Sequence, residues 1–308
     1  MAIFYNTDTL PAFKDAVITI GTFDGVHMGH KVILQQIVKH AKEAGGESIL
    51  ITFEPHPRKL IAPDQPLKIL TPLEQKLQLV LNEGVDHVVV APFTQAFAGL
   101  SAEAYIKDFL VAKFKPKAIV IGYDHRFGHD RAGDIDLLKK YAATHSYTVY
   151  EIPAQLIEEA AVSSTKIRNA IQAGHVSEAT QMLGRHYSIT GTVISGAKLG
   201  RTIGFPTANV QPQDADQLIP EKGVYAVQLQ WKGQAYNGML NIGNRPTVSN
   251  ELILHIEAHL FDFNEDIYNE MVEIIFVQRL RDEVKFPSLD ALKEQLQKDK
   301  AAAMHALL

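Results

Sequence analysis

Three clusters in this chain have the residue types and spacing for phosphate chemistry. The first is "GTFDGVHMGH", Gly21 to His30, which follows the apolar run "AVITI" and opens the amphipathic stretch "HKVILQQIVKHAKEAG". A strand, a glycine-rich turn and a helix in that order are the local pattern of a nucleotide-binding βα unit. His27 and His30 then stand at the helix mouth beside backbone N–H groups without helical partners, and Gly29 lets a phosphate come close. Imidazolium groups aimed at phosphorus stabilise the negative charge that builds when a nucleotide α-phosphate is attacked. For H-x-x-H alone, two exposed helix-start histidines would be the plainer explanation; the preceding strand and "FDG" weigh against it.

The second cluster is "SSTKIR", where the hydroxyls of Ser163, Ser164 and Thr165 and the guanidinium of Arg168 fall in a helical first turn. They can grip a pyrophosphate, or the hydroxyls can simply cap the helix. The third is "GAKLGRTIGFPTANV", Gly196 to Val210. Its glycines permit close backbone approach to phosphates, and Thr207 and Asn209 add short oxygen ligands suited to Mg²⁺. Downstream, "HIEAHLFDF" alternates along a strand, so His255, Glu257 and His259 share one face. Glu257 is there either a base or a solvated strand residue, and the histidines are surface or packing residues.

These clusters need two different frames. From Val17 to about Pro153, "AVITI", "SILITF", "HVVVAPF", "AIVIGYD" and "YTVYEIP" alternate with helix-like stretches such as "PLEQKLQLVLNEG" and "AEAYIKDFLVAKF". That alternation predicts an α/β domain, a doubly wound parallel sheet with helices on both faces and ligands at the carboxyl ends of its strands. The first cluster falls at such an end, as do "FEPHPR" and "GYDHRFGHDRAGD". Two helices in "EEAAVSSTKIRNAIQAGHVSEATQMLGR" close this half. After Tyr187 the pattern changes to "YSITGTVISG", "GVYAVQLQW", "AYNGMLNIG", "ILHIEAHLFDF" and "MVEIIFVQRLR", strand-like runs with no room for helices between them. They predict an antiparallel barrel or sandwich, with a final helix "SLDALKEQLQKDK" packed on it. The expected domains are 1–185 and 186–308.

Composition narrows the chemistry. At 308 residues and 46% apolar content, two domains can each bury a core. Without cysteine there are no disulfides, thiolate metal sites or cysteine nucleophiles. A formal charge of −5 argues against a broad nucleic-acid surface. No apolar run is long enough to span a bilayer and the N-terminus lacks a secretory pattern, so the expectation is a cytoplasmic protein without a membrane partner. The oligomeric state is left open.

Taken in order, these motifs resemble those of the prokaryotic bifunctional riboflavin kinase/FAD synthetase family over essentially the whole chain; "FPTAN" is the signature of its kinase half. The resemblance implies an enzyme that phosphorylates riboflavin to FMN and adenylylates FMN to FAD with release of pyrophosphate, using ATP and Mg²⁺ in both steps. It implies ATP binding by Gly21, Phe23, Asp24, Gly29, Ser163, Ser164, Thr165 and Arg168 in the first half, with His27 and His30 catalytic. In the second half it implies ATP binding by Gly196, Lys198, Gly200, Arg201 and Thr207, Mg²⁺ on Thr207 and Asn209, and Glu257 as general base toward the riboflavin 5′-hydroxyl. Flavin contacts would come from His56, Asp124, Arg126, Phe127, Arg281 and Phe286, although His56 can equally cap a rigid turn between its prolines. Three positions depart from the family pattern. Thr22 replaces a common Asn but keeps a hydroxyl, His125 replaces Phe and is read as half-buried packing, and Asn269 replaces Gly at a left-handed turn that Asn tolerates. The rival readings are a kinase-only chain and a non-catalytic flavin-binding regulator.

Overall fold

The computed structural model describes residues 1–65, 67–153, 162–196, 199–246 and 252–308, without the side chains of 199, 201, 245, 246, 252 and 253. Lys198 lies outside the described residues, as does the side chain of Arg201. By internal contact the chain divides into two compact units, Met1–Ser164 and Thr165–Leu308.

The first unit is built on six parallel strands: β1 (Ala2–Phe4), β2 (Val17–Ile20), β3 (Ser48–Glu54), β4 (His87–Pro92), β5 (Ala118–Gly122) and β6 (Thr148–Ile152). Their order is β1-β4-β3-β2-β5-β6. The chain winds outward from β2 through β3 to β4, then restarts at β5 on the other side. The switch point therefore lies between β2 and β5, where an open α/β sheet leaves its ligand crevice.

The central strands are apolar at nearly every position because both faces are covered. Ile18, Ile20, Ile49, Ile51, Ile119 and Ile121 point into one core, with Tyr105, Phe109 and Leu138. Val17, Leu50, Val88, Val90 and Val120 point into the other, against Leu34 and Ile37 of helix α1 (Met28–Ala44) and Leu77 and Val80 of helix α2 (Leu73–Asn82). "AEAYIKDFLVAKF" is helical as expected, but its centre, Tyr105–Val111, is a π-helical segment. The helix after it, α3 (Ile135–His145), is capped by Asp134, which accepts from Leu137 N at 3.1 Å.

Two helices, α4 (Ser164–Gln172) and α5 (Val176–Leu183), lead into the second unit. The sequence reading attaches them to the first half. In the structure α5 packs on strands of the barrel, and the internal division falls after Ser164, the first residue of α4. The barrel is closed and antiparallel in the order β10-β11-β8-β7-β12-β9, so the sandwich alternative does not apply. Its strands are β7 (Tyr187–Ile194), β8 (Ala208–Pro212), β9 (Gly223–Trp231), β10 (Gln234–Pro246), β11 (Leu252–Leu260) and β12 (Met271–Arg281). Alternate residues fill it: Tyr225, Val227 and Leu229 on β9, and Ile274 and Phe276 on β12, are fully buried. The terminal helix α6 (Leu289–Ala306) packs on β9, β10 and β12. No helix among the described residues is long and apolar enough to cross a membrane.

Candidate active sites

In the first unit the histidine pair sits at the switch point. His27 is the N-cap of α1, and its Nδ1 accepts from His30 N at 3.3 Å. The two rings stack at 3.6 Å between centroids, and Phe23 closes on His30 at 4.6 Å. Nδ1 of His30 is buried without a hydrogen-bond partner among the described residues. Burial, then the neighbouring His27 and then Lys76 hold the His30 pKa well below the ordinary histidine value, so its neutral form is favoured.

The turn carrying these rings is strained. Phe23 and the β-branched Val26 both have positive φ, 48° and 38°. Such residues cost about 1–3 kcal/mol each and persist only where the surroundings over-determine them. Here they do. The Asp24 carboxylate is buried and accepts from Leu70 N and Thr71 N at 2.9–3.1 Å. Ser164 Oγ donates to Asp24 O at 2.9 Å, which ties the start of "SSTKIR" to "FDG". Asp24 and Ser164 thus hold the turn through hydrogen bonds that the motif alone does not disclose. Gly21 is half-buried ahead of this turn, and Gly29 is buried in the first turn of α1.

The remaining predicted residues of this half separate by environment. His56 caps the short helix Pro57–Ile61, its Nδ1 accepting from Arg58 N at 3.2 Å. Asp124 and Arg126 are exposed after β5, and Arg126 pairs with Asp134 at 2.8 Å. Phe127 is buried and stacks on Tyr105 at 5.0 Å, while His125 tilts against it at 5.9 Å. Burial lowers the His125 pKa to about 4, leaving a neutral ring that packs as an aromatic in the place of Phe. Ser163 and Thr165 are exposed and Arg168 half-buried.

In the barrel, register brings the predicted residues abreast. Asn209 on β8 pairs directly with Glu257 on β11, and Glu257 pairs on its other side with Asn241 on β10. Paired residues project to the same face of a sheet, with neighbouring Cβ atoms about 5 Å apart. Asn209 is buried and walled by Gly196, where an added Cβ would lie 2.1 Å from Asn209 Nδ2. Beside Thr207 opens a cavity of about 400 Å³ lined also by Val193, Leu260, Phe263, Asp266 and Tyr268. From Asn241 the pairs continue through Val224 to Arg281. Arg281 is held by the buried Asp299 of α6 in a two-pronged ion pair, Nε–Oδ1 2.8 Å and Nη2–Oδ2 2.6 Å, and lies over the Phe286 ring at 5.6 Å. His259 packs against Phe205 and its Nδ1 lies 2.8 Å from Pro206 O, the packing role expected of it. Asn269 adopts φ 63°, the left-handed conformation its position requires.

A FAD synthetase family model matches residues 10–166, and a riboflavin kinase family model matches residues 183–307. The chain belongs to the bifunctional riboflavin kinase/FMN adenylyltransferase family. Its relatives of that name include the Pseudomonas fluorescens protein, 39% identical over 95% of this chain and 93% of the relative, and the Listeria monocytogenes protein, 40% identical over 92% and 90%. Among solved structures, a Streptococcus pneumoniae protein described as a macrolide-efflux protein superposes with a TM-score of 0.87 at 32% identity, covering 98% of both chains. As in the relatives of that name, both the FAD synthetase and the riboflavin kinase domains are present in one chain.

Two residues of these sites are not singled out by the motifs. Asn241 is legible only as a polar residue between the buried Leu240 and Ile242; its place beside Glu257 depends on a strand register that local sequence does not encode. Lys76 falls on the apolar stripe of α2 with Leu77 and Val80, and a lysine on such a stripe is the available signal.

Proposed function

We propose that the barrel transfers the γ-phosphoryl group of ATP to the 5′-hydroxyl of riboflavin, and that the α/β unit joins the resulting FMN to the adenylyl group of a second ATP, releasing pyrophosphate. The observation that supports this site assignment most directly is the β8–β11 register, which sets one carboxylate, Glu257, directly opposite the buried amide of Asn209. Phosphoryl transfer is largely positioning and charge stabilisation. Glu257 takes the hydroxyl proton as the oxygen attacks, while Thr207 and the cavity beside it receive the nucleotide.

Mg²⁺ fits this donor set. Among the described residues no group of three or more His, Asp or Glu could hold a metal, so the donors available beside Thr207 are a hydroxyl and an amide rather than a carboxylate cage. A Thr hydroxyl and an Asn amide oxygen, completed by phosphate oxygens and water, suit a small hard cation that keeps most of its own shell. Thr207 and Asn209 would hold it, and its charge would offset that of the transferred phosphoryl group.

In the α/β unit, His27 and His30 meet the α-phosphate from the N-terminus of α1, where backbone N–H groups supply positive potential and the His30 ring, neutral rather than the imidazolium expected from the sequence, can donate a hydrogen bond. The FMN phosphate attacks, pyrophosphate leaves toward Ser163 and Ser164, and no proton has to be removed from the nucleophile. His56, Asp124, Arg126 and Phe127 border the flavin side; Arg281 and Phe286 do so in the barrel. The test is a time course of FMN and FAD from riboflavin, ATP and Mg²⁺ with wild type and with Thr207→Ala. The variant should lose FMN formation and keep FAD formation from supplied FMN; loss of only the second reaction would refute the assignment.

A further inference from the structure

Lys76 is a buried charge to which the reactions above give no role. It is 6% exposed, and a cation so placed is costly unless it is paired and hydrogen-bonded. Its Nζ donates to Thr22 O at 3.2 Å and to Thr52 Oγ1 at 3.0 Å, and Thr52 Oγ1 donates in turn to Thr22 O at 3.2 Å. Helix α2 and strand β3 therefore place two donors on a single carbonyl. That carbonyl belongs to the residue directly before the strained Phe23–Val26 turn, whose far end caps α1 with His27. Nothing about Thr22 in the sequence explains this arrangement, because the anchor is its backbone oxygen rather than its hydroxyl.

We propose that Lys76 is a positioning residue of the adenylyl-transfer site: it ties Thr22 to β3 and α2, and so holds the Phe23–Val26 turn, with His27 and His30, where the α-phosphate must be met. The proposal rests on the reading of His27 and His30 as the adenylyl-transfer pair. Charge acts in the same place. Among the described residues, His27 of the turn and Lys76 of α2 act on His30, and Asp24 of the turn and Glu54 at the end of β3 act on Lys76. Burial lowers the Lys76 pKa from the ordinary lysine value, Asp24 and Glu54 oppose that and favour the charged ammonium, and the ammonium adds to burial and His27 in disfavouring a proton on His30. Lys76 thus holds the turn that carries His30 and, after burial and His27, contributes to keeping that ring neutral.

The test is Lys76→Met in the full chain, with both half-reactions assayed and the His30 imidazole titrated by NMR. Misplacing a reacting group by about 1 Å costs up to ~10²-fold, so kcat for FAD formation from FMN should fall roughly 10- to 100-fold with little change in KM. Riboflavin phosphorylation should be unchanged, and His30 should titrate at a higher pH than in wild type. A lysine needed only for stability would not, in a folded variant, lower kcat for FAD formation while leaving KM and riboflavin phosphorylation unchanged. Wild-type kcat in folded Lys76→Met, or a lowered kcat with an unmoved His30 titration, overturns the proposal. Should that variant not fold, Thr52→Val removes the hydroxyl from the same tether; it should also lower kcat for FAD formation alone, and an unchanged rate overturns the proposal. His27→Ala and His30→Ala keep the two readings apart: if they retain FAD formation, the pair is misassigned, whereas their loss of activity beside a fully active Lys76→Met refutes only the role of Lys76.

Discussion

Glu257 is flanked across the sheet by two amides, Asn209 and Asn241, and by no second carboxylate in that row. Its replacement by Gln keeps the size and the ability to hydrogen-bond the riboflavin hydroxyl but removes the proton acceptor. Loss of a general base costs about 10²–10⁴ in rate; Glu257→Gln should lower kcat for FMN formation by roughly that factor, leave KM for riboflavin nearly unchanged and spare FAD formation from supplied FMN. Near-normal FMN production would make Glu257 a solvated strand residue. His125 makes a different prediction. Its folded pKa, about 4, lies below the unfolded value of about 6.5, so as pH falls the unfolded chain binds the proton first. The α/β unit therefore keeps its full stability above about pH 6.5 and loses this contribution as pH drops toward 4, at about 1.4 kcal/mol per unit. His125→Phe should narrow the difference in Tm between pH 7 and pH 4.5, and melting of the variant and wild type at the two values checks it. His56 was legible as a possible turn cap between its prolines; Asp24 was not, because its carboxylate turns inward to backbone amides more than forty residues along the chain.

Elements were legible where their patterns are local. Strands β2 to β6 are marked by short apolar runs between amphipathic ones, and the barrel strands by alternation that the buried faces of β9 and β12 reproduce. Two strands escaped: β1 is three residues long, and β8 lies inside a motif read for its chemistry. Helix allegiance was also hidden, because an amphipathic pattern shows that a face is buried without showing against what. Val176, Ala179 and Leu183 of α5 are buried, and α5 packs on β7 and β12. In the turn before it, Gly174 has φ 78° and sits so close to Arg279 of β12 that an added Cβ would lie 2.7 Å from Cδ. The functional division proposed from the sequence, 1–185 and 186–308, cuts these contacts. A fragment of residues 165–308 should consequently be more stable than one of residues 186–308, by several °C in Tm or by the difference between soluble and aggregated protein, since the shorter one exposes the apolar surface that α5 covers. Equal stability of the two fragments would show that the helices add nothing to the barrel.

At the scale of the whole molecule, each half carries the means for one reaction, and the product of the barrel is the substrate of the α/β unit. Each unit has its own apolar core, Ile18, Ile49 and Ile119 among others in the first, and Ala226, Met239 and Phe261 in the second. Damage to one site should therefore leave the other reaction intact. His27→Ala removes an imidazole of the pair proposed for adenylyl transfer and should convert riboflavin and ATP into accumulating FMN, with FAD formation reduced about 10²-fold or more. Glu257→Gln should do the reverse, making FAD only when FMN is supplied. Mixed in equal amounts, the two variants should together turn riboflavin into FAD, because FMN released by an intact barrel can enter an intact α/β site on another molecule. The lag before FAD appears should shorten as total protein is raised, since transfer between molecules depends on the FMN that accumulates in solution. If each variant performs its own half-reaction but the mixture makes no FAD, FMN does not reach solution in usable amounts, and the two units act as a coupled pair rather than as independent enzymes joined in one chain.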